Sequence, residues 1–135
     1  MPKRTCVTLI LWLIVLTGCG GNGDSSSLDP TDELTRPLKS PDVEKRRDAV
    51  REIRDLDWPS MPEKILDSLL AALTDSDATV RRIATETVLR ASDQQCIKVA
   101  KRLDEAAQNE TNNNVKAAMH RGVEQLNKRI ENMLK

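Results

Sequence analysis

From Ser60 to Leu73 the chain reads SMPEKILDSLLAAL, with Ile65, Leu66, Leu69, Leu70 and Leu73 recurring at intervals of three and four. That spacing gathers apolar side chains into one stripe of a helix with 3.6 residues per turn. SDQQCIKVAKRLDEAA, from Ser92 to Ala107, repeats the pattern with Cys96, Val99, Ala100, Leu103 and Ala107. Each segment opens with a capping-box spacing, Ser60 with Glu63 and Ser92 with Gln95. Before, between and after them run three further helical patterns: Ala49/Ile53/Leu56, Val80/Ala84/Val88/Ala91 and Val115/Met119/Val123/Leu126. The last continues through Ile130 to Met133 or Leu134. The small residues among these predict closely approaching helices. No stretch alternates with a period of two between turn signals, so the predicted class is all-α.

The patterns recur at a fixed offset. LKSPDVEKRRDAVREI (Leu38 to Ile53) lies over LTDSDATVRRIATETV (Leu73 to Val88) at a shift of 35 residues. Leu38 then meets Leu73, Asp42 meets Asp77, Arg46-Arg47 meets Arg81-Arg82, Ala49 meets Ala84 and Ile53 meets Val88. A second step reaches Gln108 to Val123, where Val115, Lys116 and Val123 match Val80, Arg81 and Val88. Periods of 20–50 residues mark solenoids, whose units bury their apolar faces only against neighbours.

The middle unit, LTDSDATVRRIATETVL, resembles the HEAT-like repeat of armadillo-type and phycobilin-lyase helical solenoids, with Leu73, Asp75, Val80, Arg81 and Ala84 at the pattern positions. The first unit departs at Ser40 and Lys45 but keeps Arg46 and Ala49; the third has Glu110, Val115 and Lys116, with Met119 in place of alanine. The resemblance implies a short α-α superhelix over residues 38–135, of about two and a half hairpins. It also implies a ladder in which the aspartate and arginine bridge within and between units, here Asp75 with Arg81 and Glu110 with Lys116. The second helices would line the concave side. The link to lyases raises the alternative of a lyase or chaperone-type activity.

Composition narrows the core chemistry. The chain has no Phe or Tyr and only two tryptophans, Trp12 and Trp58. Leu, Ile, Val, Ala and Met must therefore supply the core, which suits helices better than a sandwich or barrel. Charge is balanced at 21 basic and 21 acidic residues, so no strong field steers the protein to nucleic acid.

The N-terminus, MPKRTCVTLILWLIVLTGCGG, places Lys3 and Arg4 before an apolar run from Val7 to Thr17. Eleven residues are too few to span a hydrocarbon core, which needs about 20, but they suit a secretory signal. Leu16, Thr17, Gly18 and Cys19 resemble the lipobox of bacterial lipoproteins. That resemblance implies cleavage after residue 18 and acylation of Cys19 with diacylglycerol and an amide-linked chain such as palmitate. It would anchor the protein to a membrane of the cell envelope, on its periplasmic or surface side. Two or more acyl chains hold where one would bind only marginally. Residues 19–37 read as a tether: Gly, Asn and Ser come first, then a short helix capped by Asp29 with Pro30 at its first position.

Few residues carry candidate chemistry. No catalytic, cofactor-binding or metal-binding set is predicted; His120 is the sole histidine and Cys96 falls on an apolar face. The candidate partner-facing stripe is Arg47, Arg51 and Arg54, followed by Arg82, Glu86 and Leu89 and then His120, Arg121 and Glu124, with Asp48, Glu52 and Asp55 interleaved with the first arginines at pairing distance. Mixed sign and the lack of stacking aromatics argue against single-stranded nucleic acid. The expectation is a non-enzymatic, lipid-anchored scaffold for a protein partner, with self-association in the envelope as a further alternative.

Overall fold

A computed structural model describes residues 29–135; the signal segment, the lipobox and the first part of the tether lie outside them. Asp29 accepts a hydrogen bond from the Thr31 N–H and opens α1 (Pro30–Thr35), with Pro30 in its first turn. A 3-10 turn, Arg36–Lys39, leads to α2 (Val43–Asp55). Then follow α3 (Glu63–Ala72), α4 (Ala78–Val88), α5 (Cys96–Asn109) and α6 (Asn113–Met133). The described residues contain helices and no strand, and none of these helices is long and apolar enough to cross a membrane.

The helices form two rows. α3 pairs with α4 and α5 with α6; α2, α4 and α6 pack in succession, as do α1, α3 and α5. One core runs between the rows. Ile65, Leu66, Leu69, Leu70 and Leu73 come from one row, and Ile53, Val80, Ala84, Val88, Val115, Met119 and Leu126 from the other, all buried. Leu34 and Leu38 rest against that core, so the short helix at the end of the tether belongs to the packed body. It is still shorter than α3 or α5, leaving the first unit with a truncated first helix.

Several expectations change. The Ser60–Glu63 box does not form: α3 starts at Glu63 with Pro62 as its cap and no side-chain bond there. Proline at the cap position has already fixed the entry, and the Glu63 carboxylate instead receives Lys98 from α5 and Gln95 from the turn before it. The second box holds, with the Ser92 N–H donating to Gln95 Oε1 at 3.1 Å, although its first turn is 3-10 and α5 proper begins at Cys96. Leu56 lies beyond the end of α2 and is 37% exposed. Val50 is buried in α2 instead, and the Trp58 indole donates to the Ile53 carbonyl at 2.9 Å. Met133 and Leu134 are exposed, since α6, at 21 residues, outruns α5 at 14.

Gly122 sits where α6 meets α5 and α4. A Cβ there would lie 2.9 Å from Leu103 Cδ2 and 3.0 Å from Leu89 Cδ2. Both are the free ends of leucine side chains, so one methyl group can be absorbed by rotation, and alanine regains about 1 kcal/mol of helix propensity over glycine. Gly122→Ala is therefore expected to leave thermal stability nearly unchanged. Gly122→Val, which pushes a branched group into the same gap, should cost about 1–3 kcal/mol. Equal melting curves for the two variants, followed by circular dichroism, would show that the contact is not tight.

Candidate functional site

The charged residues are organised by the 35-residue period. Arg46 donates through Nη1 to the carbonyls of Ser40 (2.9 Å) and Pro41 (3.2 Å), tying down the loop before its own helix. Its other two nitrogens grip Asp75 of the next unit at 2.8 and 3.0 Å. Arg81 repeats both actions: Nη1 reaches the Asp75 and Ser76 carbonyls at 2.7 and 3.2 Å, and Nε and Nη2 grip Glu110 at 2.6 and 2.8 Å. The acceptors close the pattern. Asp75 and Glu110 each accept from the backbone N–H two residues on, Asp77 and Asn112, both at 2.8 Å. Asp77 and Asn112 in turn cap α4 and α6 through bonds to Thr79 and Val80, and to Asn114 and Val115.

The ladder thus exists, with different rungs from those the resemblance implied. Arg81 reaches the backbone carbonyl of Asp75 and the carboxylate of Glu110, while Asp75 belongs to Arg46. Lys116 makes no ion pair among the described residues. The geometry is bidentate, which a lysine in place of either arginine could not reproduce. The Glu110 side chain is only 2% exposed. The Arg81 guanidinium holds its carboxyl below the usual range against the opposing effect of burial.

The proposed partner stripe divides. Arg47 grips Asp77 at 2.7 and 3.0 Å and Glu44 at 2.5 Å, so it belongs to the ladder and faces its own neighbour. Its guanidinium, with the Val80 and Thr79 amides behind it, lowers the Asp77 pKa to about 2. Arg82 stands 35 residues after Arg47, but the residue 35 after Asp77 is the neutral Asn112. Without a carboxylate in the next unit, Arg82 turns to Glu86 on its own helix at 2.8 Å. Arg51 pairs with Asp48 at 3.0 Å and Arg54 with Asp55 at 2.8 Å. Arg51, Arg54, Arg82 and Glu86 remain solvent-accessible, each already neutralised within one turn of helix. The structure does not gather the stripe into one cationic surface.

Other candidates are quieter. Cys96 is fully buried and its thiol pKa is raised by that burial, as its place on the apolar face predicts. His120 is exposed on α6, and no group of three or more His, Cys, Asp or Glu side chains fit to hold a metal ion occurs among the described residues. Sequence reasoning missed Asn112 as a cap and Arg129 as a clamp. Arg129 crosses from α6 to the Leu89 and Ala91 carbonyls, both at 3.1 Å, and to Asp93 at 2.6 Å. The offset from Asp77 could have found Asn112; nothing in the repeat marks Arg129. No family model, curated protein or solved structure matches the chain.

The ladder makes two measurable statements. Arg81→Ala leaves Glu110 enclosed without its countercharge and frees two carbonyls, and should cost about 3 kcal/mol. Arg82→Ala, breaking an exposed pair, should stay within about 1 kcal/mol. Chemical denaturation of both variants compares them directly, and equal losses would deny the ladder its role. The pH dependence has a definite sign. Asp77 and Glu110 have folded-state pKa values below their unfolded ones, so the stability they contribute is present above the unfolded carboxylate range, at about pH 5. It declines as pH falls through about 4 toward 2. Arg81→Ala should flatten that decline.

Proposed function

We propose that this chain is a lipid-anchored protein of a bacterial cell envelope whose HEAT-like array serves as a protein-binding scaffold. The observation that carries the reading is the agreement between the 35-residue sequence period and the repeated arginine clamp at Arg46 and Arg81. Arrays of this kind present extended surfaces rather than a chemical centre, and most charged groups here hold units together or pair on their own helix. In this reading α2, α4 and α6 line the inner side of a short superhelix. Cys19, behind the apolar run and the lipobox residues Leu16, Thr17 and Gly18, carries the acyl groups. The leash through residue 28 sets the array off from the bilayer, on the periplasmic or surface side. Self-association is a second reading, favoured by Met133 and Leu134, which are exposed at the end of α6; sedimentation of a concentration-independent monomer would remove it.

Metabolic labelling with an alkyne-bearing palmitate tests the anchor. The full chain should take the label and sediment with membranes, while Cys19→Ala should remain unlabelled and retain its signal segment. An unlabelled wild-type chain released to the soluble fraction would end the lipoprotein reading. For the scaffold, a photo-crosslinking residue placed at Arg51 or Arg82 in the full chain should trap a discrete protein in living cells. Failure at both positions and on α6 alike would remove the binding face.

A further inference from the structure

The third unit departs from the second in a way that opens space. Thirty-five residues before Ala118 and Gly122 stand Ile83 and Thr87, both buried. Replacing isoleucine and threonine by alanine and glycine removes bulk along the seam between α4 and α6. Close approach of α6 at Gly122 uses part of that room. The remainder is a groove of about 280 Å³ on the surface, walled by Glu86 on α4 and Leu89 at its C-terminal cap, and by Ala118, Arg121, Gly122 and Gln125 on α6.

Its polar rim is asymmetric. On the α4 wall, Glu86 is held by Arg82 at 2.8 Å, and the Thr85 hydroxyl donates to the Arg81 carbonyl at 2.9 Å. On the α6 wall, Arg121 and Gln125 are four residues apart, on one face of the helix. Neither has an ion-pair or side-chain hydrogen-bond partner among the described residues. Nearby on α6, Lys128 is matched by Glu124 at 3.0 Å. The groove therefore presents one unmatched guanidinium and one unmatched carboxamide beside the partly exposed side chain of Leu89.

We propose that this groove is the docking site for a peptide segment of a partner protein in which a carboxylate neighbours a small aliphatic residue. Arg121 takes the carboxylate, with a fork suited to two parallel hydrogen bonds. Gln125 carries a donor and an acceptor and so matches an extended backbone. The aliphatic side chain lies over Leu89, in the space left by Ala118 and Gly122. The volume is below that of ordinary small-molecule pockets and accommodates one side chain of a longer segment. A single surplus cation is too few to select an anionic bilayer, which attracts clusters of basic residues. This site rests on the protein-binding reading and narrows the candidate stripe from the paired arginines of α2 to the unpaired wall of α6.

The test is selection of a randomised twelve-residue peptide display library on the full chain in detergent, followed by affinity measurement on three variants. The recovered peptides are expected to share an Asp or Glu next to Val, Ile, Leu or Ala. Binding should fall roughly tenfold or more with Arg121→Glu, fall similarly with Ala118→Trp, and fall much less with Arg51→Glu. Arg121 is exposed, so its reversal leaves folding intact and decides the test even if the tryptophan disturbs the seam. Basic or purely apolar consensus peptides, or acidic ones indifferent to Arg121→Glu, would overturn the proposal. Peptides that respond to Arg51→Glu alone would overturn the groove yet leave the scaffold reading standing. No enrichment would overturn the groove, while the cellular crosslink from Arg51 or Arg82 reports on the scaffold separately.

Discussion

Everything in the array depends on one arginine doing two things at once. At Arg46 and again at Arg81, a guanidinium fastens the loop before its own helix and, with its remaining nitrogens, the carboxylate that organises the next loop. Burial of Leu, Ile and Val supplies the energy, at about 1.5–3 kcal/mol for each side chain wholly removed from water. Semi-enclosed ion pairs contribute little net stability, because desolvation opposes the attraction. Their contribution is spacing. An apolar seam of leucines and valines tolerates sliding by a turn, whereas a bidentate contact does not. The clamp repeats with the same separation, 29 residues from arginine to acid, so successive hairpins are set down at one register.

The same network explains the irregularities of the repeat. Ser40 occupies the position of Asp75 and Glu110, and the residue 29 positions before it, where the clamp would need an arginine, is Leu11. Lys116 occupies the position of Arg46 and Arg81, and no further described unit offers an acid for a forked contact. Asn112 keeps the capping function of Asp77 and loses its charge, which releases Arg82 to its own helix. At Ser40 and Lys116 the change falls where no partner stands opposite; at Asn112 the arginine is present and pairs on its own helix.

Much of the architecture was legible for this reason. The apolar spacing of residues 60–73 and 92–107 located the first helices, and the 35-residue offset located the second. Boundaries were less accessible. Pro62 overrode the Ser60–Glu63 box because its restricted backbone serves as the cap, and Leu56 fell outside its helix because α2 ends at Asp55. The stripe of Arg47, Arg51, Arg54, Arg82 and Glu86 was visible as a pattern, but sequence separation hides which cations meet a carboxylate from another unit. Arg47 finds Asp77 thirty residues away; only the fold reveals that this arginine is turned toward the neighbouring unit.

Where a repeat is regular, its side chains are determined by stacking, and identical units must satisfy identical neighbours whatever the protein binds. In the proposed scaffold, recognition therefore has to reside in departures from the period that stacking does not demand. Asn112 keeps the capping role of its position, and Ser40 and Lys116 each have a structural reason. Ala118 and Gly122 do not share one: the seam between α4 and α6 is partly closed by Leu89 and Leu103 against Gly122, but the groove above it stays open. Position 121 alternates along the array as Arg51, Glu86 and Arg121. The first two are matched within a turn of their own helix and the third is not. An unmatched charge beside an unfilled seam, both in the unit that deviates most from its neighbour, makes the α6 wall of the α4–α6 groove the place where the proposed scaffold would read its partner.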